Sequence, residues 1–547
     1  MVIRDWSSDV CSSDLRMRCR GALVGVLCLA ASMASAQTTN SWILNANGLW
    51  STLTDWSPNT NYPDGVGAVA YVTNNVSGNR ILTLDTNVTL GALVWGDQNR
   101  SNQIDIRTNA AGARITFDTG TNGAAVLSHA TGDWPGFAFD IGNDSDDTDV
   151  GITVADPDGL YIEAFRNLVF EGRTSPNAVF DGGGFDVVKA EDGTVFMRRV
   201  VTNISTLYVR DGSFRIDPEG RPEMRPSLGT AVVGVASGVI DAGEANPLGT
   251  ITNSNEGSAR DRRQFATFEI IGAAATNTSV VVTNDFNLVM NRGIFRSFNR
   301  PGATNGPDAV YSGNAVLNGS ADEVFFQIES EGASATNSVL AHRFLGSMTG
   351  SGGLTKWGNG EMVLMGSNDF TGDLNILRAN DRRRGNAGGV RLEGQGTLSG
   401  VGTVNLQRDG SLFIDNSGAN LSNRINDAAA VVGWGRSQVE LVGKAGEDSY
   451  ERWGATTVTN GRLAIEFDAD DANPGAQVLE MASLTRARGT IMSFHSSDLR
   501  QGALATNGAG SVTINLLDGG ASLAQVGGTG AGTTDVKVAV GVFGGDG

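Results

Sequence analysis

The stretch GSGGLTKWGNGEMVLMGSNDFTG, residues 350–372, alternates short apolar segments with glycine and asparagine. Glycine and asparagine enter the positive-φ positions of tight turns at little steric cost, and the Val, Leu, Met and Thr between them favour short strands. EMVLM, residues 361–365, has the period-two alternation of a strand with one buried face. Ahead of it, Lys356 and Gly360 form a K-x-x-x-G spacing, and a further strand begins at Leu374. The same order recurs upstream, with Lys189, Gly193 and a strand beginning at Leu207. A second element, [DN]-G-[SR]-[LF]-x-I, ends at Ile216, Ile414 and Ile465. Its Asp/Asn-Gly pair turns the corner, and its two spaced apolar residues face one side of the strand.

Working outward, strand-like alternation bounded by Gly, Asn or Asp runs through RILTLD at 80–85, LYIE at 160–163, TVFM at 194–197 and SVTIN at 511–515. No amphipathic helix longer than about two turns emerges, so the class is all-β: sandwich, barrel or solenoid. The repeated elements select a β-solenoid, with coils of roughly 20 to 25 residues stacked about 4.8 Å apart, inward Leu, Val, Ile and Met, and solvated Thr, Asn and Asp faces outside. The chain has 74 Gly but only 12 Pro, and its aliphatic content argues against disorder. The net charge of −19 disfavours nucleic acid and anionic membrane as partners.

The front end reads as an export signal. Arg16, Arg18 and Arg20 form a basic stretch, residues 21–33 an apolar core, and Ala34-Ser-Ala36 a cleavage site that leaves Gln37 first. Residues 17–36 are the signal, with Met17 the natural start. Residues 1–16 read as translated sequencing adapter, since Asp9 to Leu15 is what GAC GTG TGC TCT TCC GAT CT encodes. Cys11, Cys19 and Cys28 all precede Gln37, so disulfides, thiolate metal sites and cysteine nucleophiles drop out of the region that follows. Residues 37–547 are read as the solenoid, with repeat-like segments at 187–216 and 350–414. KVAVGVFGGDG, residues 537–547, stops just after a strand, which reads as a truncation with an open edge prone to association.

Residues 350–372 resemble the autotransporter-associated β-strand repeat, whose pattern is G-x-G-G-L-T-K-x-G-x-G-x-L-x-L-x-G-x-N-x-[YF]-[TS]-G. The matching positions include Gly353, Leu354, Lys356, Gly358, Gly360, Gly366, Asn368, Phe370 and Gly372, with Met362 in place of one Leu. QGTLSGVGTV, residues 395–404, is similar to the segment that follows such repeats. The opening from Trp42 to Trp56 resembles the start of large secreted proteins that carry them, and reads as an N-terminal aromatic cap. The resemblance implies a secreted, surface-displayed, right-handed parallel β-helix on a Gram-negative-type bacterium, acting as a structural, passenger or adhesin component without catalysis. Its expected partners are surface glycans or a host or neighbouring cell surface. No part of the chain present reads as inserted in a membrane, and an outer-membrane barrel or anchor is expected beyond residue 547. The alternative is a polysaccharide lyase or glycosidase, or a glycan-binding module.

Few constellations suggest chemistry. Asp144, Asp146, Asp147 and Asp149, followed by Asp156 and Asp158, supply closely spaced oxygens of the kind Ca²⁺ needs, but lack the EF-hand glycine and bidentate Glu. They read as a solvated loop, as do Asp468, Asp470 and Asp471, and no other cofactor is suggested. A glycosidase or lyase needs converging carboxylates, and no pair stands out. His129, His342 and His495 are far apart and read as surface or coil-edge residues. Trp42, Trp50, Trp56 and Tyr62 read as packing, with a sugar-stacking platform as the other use of such rings.

Overall fold

The computed structural model describes residues 38–546, apart from 98–101, 110–112, 121–122, 130–138, 142–149, 166, 172–178, 192, 217–234, 242–266, 273–281, 285–286, 300–308, 331–340, 378–388, 409, 469–474, 497–511, 519–524, 527–537 and 540–541. The described residues are strands and turns, with one 3₁₀ turn at Leu53–Asp55 and no α-helix. Almost every strand pairs in parallel with a segment one coil away, as a β-solenoid requires. Side chains joined across successive coils are 20 to 39 residues apart in sequence, so the coils are less uniform than the expected 20 to 25.

Between Val88 and Ile216 each coil contributes one strand to each of three faces. Face 1 contains Ala92–Trp95, Ala125–His129, Leu160–Ala164, Val187–Ala190 and Ile204–Val209. Face 2 contains Ile104–Thr108, Phe139–Ile141, Leu168–Glu171, Thr194–Arg198 and Ser213–Ile216. Face 3 is a separate five-stranded sheet of Val88–Leu90, Arg114–Phe117, Gly151–Val154, Val179–Asp181 and Val200–Thr202. Alternate side chains point inward, and because the pairing is in register they stack into rows. Their buried members join one hydrophobic core reaching from Trp42 to Met492.

The outward rows differ from one face to the next. On face 3 the row is Thr89, Thr116, Thr153, Asp181 and Thr202, the hydroxyl-rich exterior the composition suggests. On face 1 one of the two outward rows is Val69, Ala92, Val126, Tyr161, Val188 and Tyr208, all half-exposed. The expectation of uniformly polar exterior faces is therefore corrected. Segments such as VVKA at 187–190 carry apolar residues on both sides, and alternation alone does not reveal this.

At the N-terminal end Thr39–Trp42 pairs in parallel with Val69–Val72 and antiparallel with Trp56–Ser57. Trp42, Trp50 and Trp56 are at most 2% exposed. Trp50 donates to Pro63 O at 3.0 Å and Trp56 to Trp50 O at 2.8 Å, with the two rings 5.0 Å apart. Their faces are spent on packing, which removes the sugar-stacking use.

Candidate functional site

The motif residues singled out by sequence come together, and their polar atoms point into the stack. Leu354, Lys356, Asn368 and Phe370 are fully buried. Lys356 Nζ donates to Gly358 O at 2.8 Å. Its counterpart Lys189, also buried, donates to the carbonyls of Ala190 (2.8 Å), Glu191 (2.6 Å) and Asp211 (3.0 Å). The residue two beyond each lysine has positive φ, +67° at Glu191 and +100° at Gly358. A left-handed residue turns its carbonyl out of the strand ladder, and the ammonium supplies the missing donor, as buried polar groups require. The K-x-x-x-G spacing thus encodes a buried lysine clip across a turn, although alternation and charge mark such a lysine as a surface residue.

Asn368 joins three coils. Its Oδ1 accepts from Met348 N at 2.9 Å, and its Nδ2 donates to Gly366 O at 2.7 Å and Thr397 O at 2.9 Å. Gly366 is glycine because a Cβ there would stand 2.3 Å from Gly346 O on the preceding coil. Replacing Asn368 by Leu strands two buried backbone groups, Met348 N and Gly366 O, and one half-buried, Thr397 O, at about 1 kcal/mol each. Asn368→Leu is expected to lower stability by about 3 kcal/mol and to speed amide exchange at Met348. A denaturation midpoint equal to wild type would show that these bonds contribute nothing net.

The other singled-out residues do not assemble. Asp144, Asp146, Asp147 and Asp149 lie outside the described residues, as do Ala36, Gln37, Asp470 and Asp471. Asp156 is buried and braces a turn, accepting from Thr119 N at 2.7 Å, Thr119 Oγ1 at 2.6 Å and Asp158 N at 2.8 Å. Among the described residues no group of three or more His, Cys, Asp or Glu could hold a metal ion. No helix among them is long and apolar enough to cross a membrane.

Two of the three histidines are core residues, contrary to the surface reading. His129 is fully buried with its ring edge-on to Trp95, centroids 5.7 Å apart. His342 is fully buried, its Nδ1 2.5 Å from Ser297 Oγ, which is in turn 2.5 Å from Tyr311 OH. Burial first, and then the Lys356 charge, lowers the His342 pKa to about 3, so the imidazole is neutral; burial raises that of Tyr311. Ser297 is 1% exposed, so this serine–histidine pair holds coils together and presents no nucleophile to solvent. His495 is half-exposed beside Arg462, 2.9 Å away.

Charged side chains do converge on the outer face formed by Glu361–Leu364, Val390–Leu392, Ser411–Asp415, Ala430–Val442 and Ser449–Asp468. Arg391 lies 4.7 Å over the Phe413 ring, between Glu361 (3.0 Å) and Asp415 (2.7 Å). Burial opposes ionisation of Asp415, but bonds from Ser417 and Arg391 outweigh it and hold the carboxyl below its ordinary range. One coil further, Glu440 and Glu466 stand in register, both bound to Gln438 Nε2, at 3.2 and 2.8 Å. Burial and the neighbouring Glu466 raise the Glu440 pKa. Sequence spacing could not pair these two, because the intervening coil length is visible only in the register. Comparison with protein-family models, with curated proteins and with solved structures finds no match to this chain.

Proposed function

We propose that the chain is an exported, right-handed β-solenoid displayed at or released from the surface of a Gram-negative-type bacterium, serving as a structural, passenger or adhesin component rather than a catalyst. The observation that carries this reading is the use of Lys189, Lys356 and Asn368, whose polar groups close turns and join coils instead of facing solvent. A repeat whose reactive groups are spent on its own stacking is a building element. The buried Trp50 and Trp56 and the antiparallel return at Trp56–Ser57 support an N-terminal cap that blunts the first edge. Right-handed winding follows the general handedness of parallel crossovers. The resemblance of residues 350–372 to the autotransporter-associated repeat, and the signal at 17–36, support export, with surface glycans as partners.

The test is to express the chain with its own signal in a Gram-negative host. The mature terminus is expected at Gln37, with the protein digested by protease added to intact cells. Full-length protein retained in the cytoplasm would overturn the reading.

A second reading, a glycosidase on the outer face, is favoured by the Glu440–Glu466 pair. In-register strands stand about 4.8 Å apart, close to the roughly 5 to 5.5 Å between the carboxyls of retaining glycosidases. The raised Glu440 would be the acid. The first reading predicts no release of reducing or unsaturated ends from a panel of polysaccharides. Release that falls at least about 100-fold in Glu440→Gln would establish the second instead.

A further inference from the structure

We propose that the outward row of face 1 from Val69 to Tyr208 is a docking strip for a neutral, extended β-linked polysaccharide, with Tyr161 and Tyr208 as stacking platforms. This rests on the surface-display reading above and names the glycan class.

The row stands one side chain per coil, in register: Val126 beside Tyr161, Tyr161 beside Val188, and Val188 beside Tyr208. Each is half-exposed between fully buried neighbours, so the alternation turns all of them outward. Two strand spacings separate the tyrosines, or about 9.6 Å. That is close to the repeat of a β-1,4-linked disaccharide, in which every second ring presents the same face. Val188, small and apolar, lies between and lets a chain lie flat.

The surroundings suit hydroxyl groups. Glu163, Glu191 and Arg210 are near enough for their charges to act on the Tyr161 phenol. An aromatic face beside charged hydrogen-bonding groups recognises sugar rings by stacking and by their hydroxyls together. A second outward row, Tyr71, Val94, Ser128 and Glu163, runs beside the first on the same face, and the first continues in register from Tyr208 to Val239, so the strip is a long ribbon along the coil axis. A second copy would bring another −19 of charge, and like charge opposes association. A neutral linear polymer escapes that repulsion and can follow the row along the coil axis, one disaccharide for every two coils.

The test is retention of the full chain on microcrystalline cellulose and on chitin, with starch granules, an α-linked glucan, as control. Wild type is expected to be retained at least tenfold better on a β-linked matrix than on starch. Tyr161→Ala and Tyr208→Ala should each lower retention about fivefold and together about 25-fold. Tyr450→Ala, on another face, should leave it unchanged. The Tyr161→Phe/Tyr208→Phe pair keeps both rings and should bind, which separates lost stacking from lost folding. Equal retention on all three matrices, or retention untouched by the double alanine variant, would overturn the proposal. So would a wild-type dimer that the double variant dissociates without any glycan retention, because it would make the strip an interface between copies. None of these outcomes alters protease accessibility on intact cells, so failure here is distinct from failure of the surface reading.

Discussion

Gly358→Val is expected to cost about 4 kcal/mol. Two terms add: a non-glycine residue held at left-handed φ costs about 1–3 kcal/mol, and overpacking costs about 1–3 kcal/mol more. Gly358 has φ +100°, and a Cβ there would stand 2.2 Å from Ile328 O, a backbone atom of the previous coil. The chain therefore cannot relieve the contact without separating coils. Gly123 provides the comparison, since it has φ +90° with nothing within 4 Å of its Cβ position. Gly123→Ala should therefore show the strain alone, about 1 kcal/mol. Denaturant midpoints measure both. A Gly358→Val midpoint no lower than that of Gly123→Ala would mean that the close coil contact at Gly358 does not exist.

Stability is expected to peak between about pH 4.5 and 6.5, because two buried groups tilt it in opposite directions. His342 titrates at about 3 when folded, against an ordinary imidazole value of 6.5, so between those values the unfolded chain binds more protons. Stability therefore rises with pH across that window and is lost as pH falls through it, by up to about 5 kcal/mol at about 1.4 kcal/mol per unit. Glu451 behaves in the reverse sense. It is 2% exposed and accepts from Arg424 N (3.0 Å) and Ile425 N (2.9 Å). Burial raises its pKa from 4.5 to about 8, against those bonds and the Arg424 charge. Between these values the folded chain binds the extra proton, so stability falls as pH rises. Melting temperature measured from pH 3 to 9 should fall away on both sides. His342→Gln should flatten the acid limb and Glu451→Gln the alkaline one. An acid limb unchanged in His342→Gln would contradict the burial of a neutral imidazole.

The fold was largely legible because its determinants are local. Asn460-Gly461 predicts a corner, and Gly461 has φ +72°, with Leu463 and Ile465 both buried after it. Phe214 and Ile216 follow Gly212 in the same way. What escaped depends on register between distant segments. Coils of unequal length place Tyr161 beside Val188, and Glu440 beside Glu466, and no periodicity within a single coil contains that information. Buried polar residues escaped for another reason: charge and alternation mark Lys356 and His342 as surface groups. Only the turn carbonyl that Lys356 clips and the Ser297 hydroxyl that meets His342 explain their burial.

The measurement that tests the coil stack most directly is disulfide mapping on face 3, in a chain with Cys11, Cys19 and Cys28 replaced by Ser. Thr116 and Thr153 are register partners on neighbouring strands, whereas Thr153 and Thr202 are separated by the strand that carries Asp181. Neighbouring strands place Cα atoms about 4.8 Å apart, inside the roughly 4.4–6.8 Å usual for a disulfide, and two spacings exceed it. Thr116→Cys/Thr153→Cys should oxidise to a single intramolecular bridge, and Thr153→Cys/Thr202→Cys should remain reduced. A bridge in the second pair, or none in the first, would contradict the in-register parallel stack.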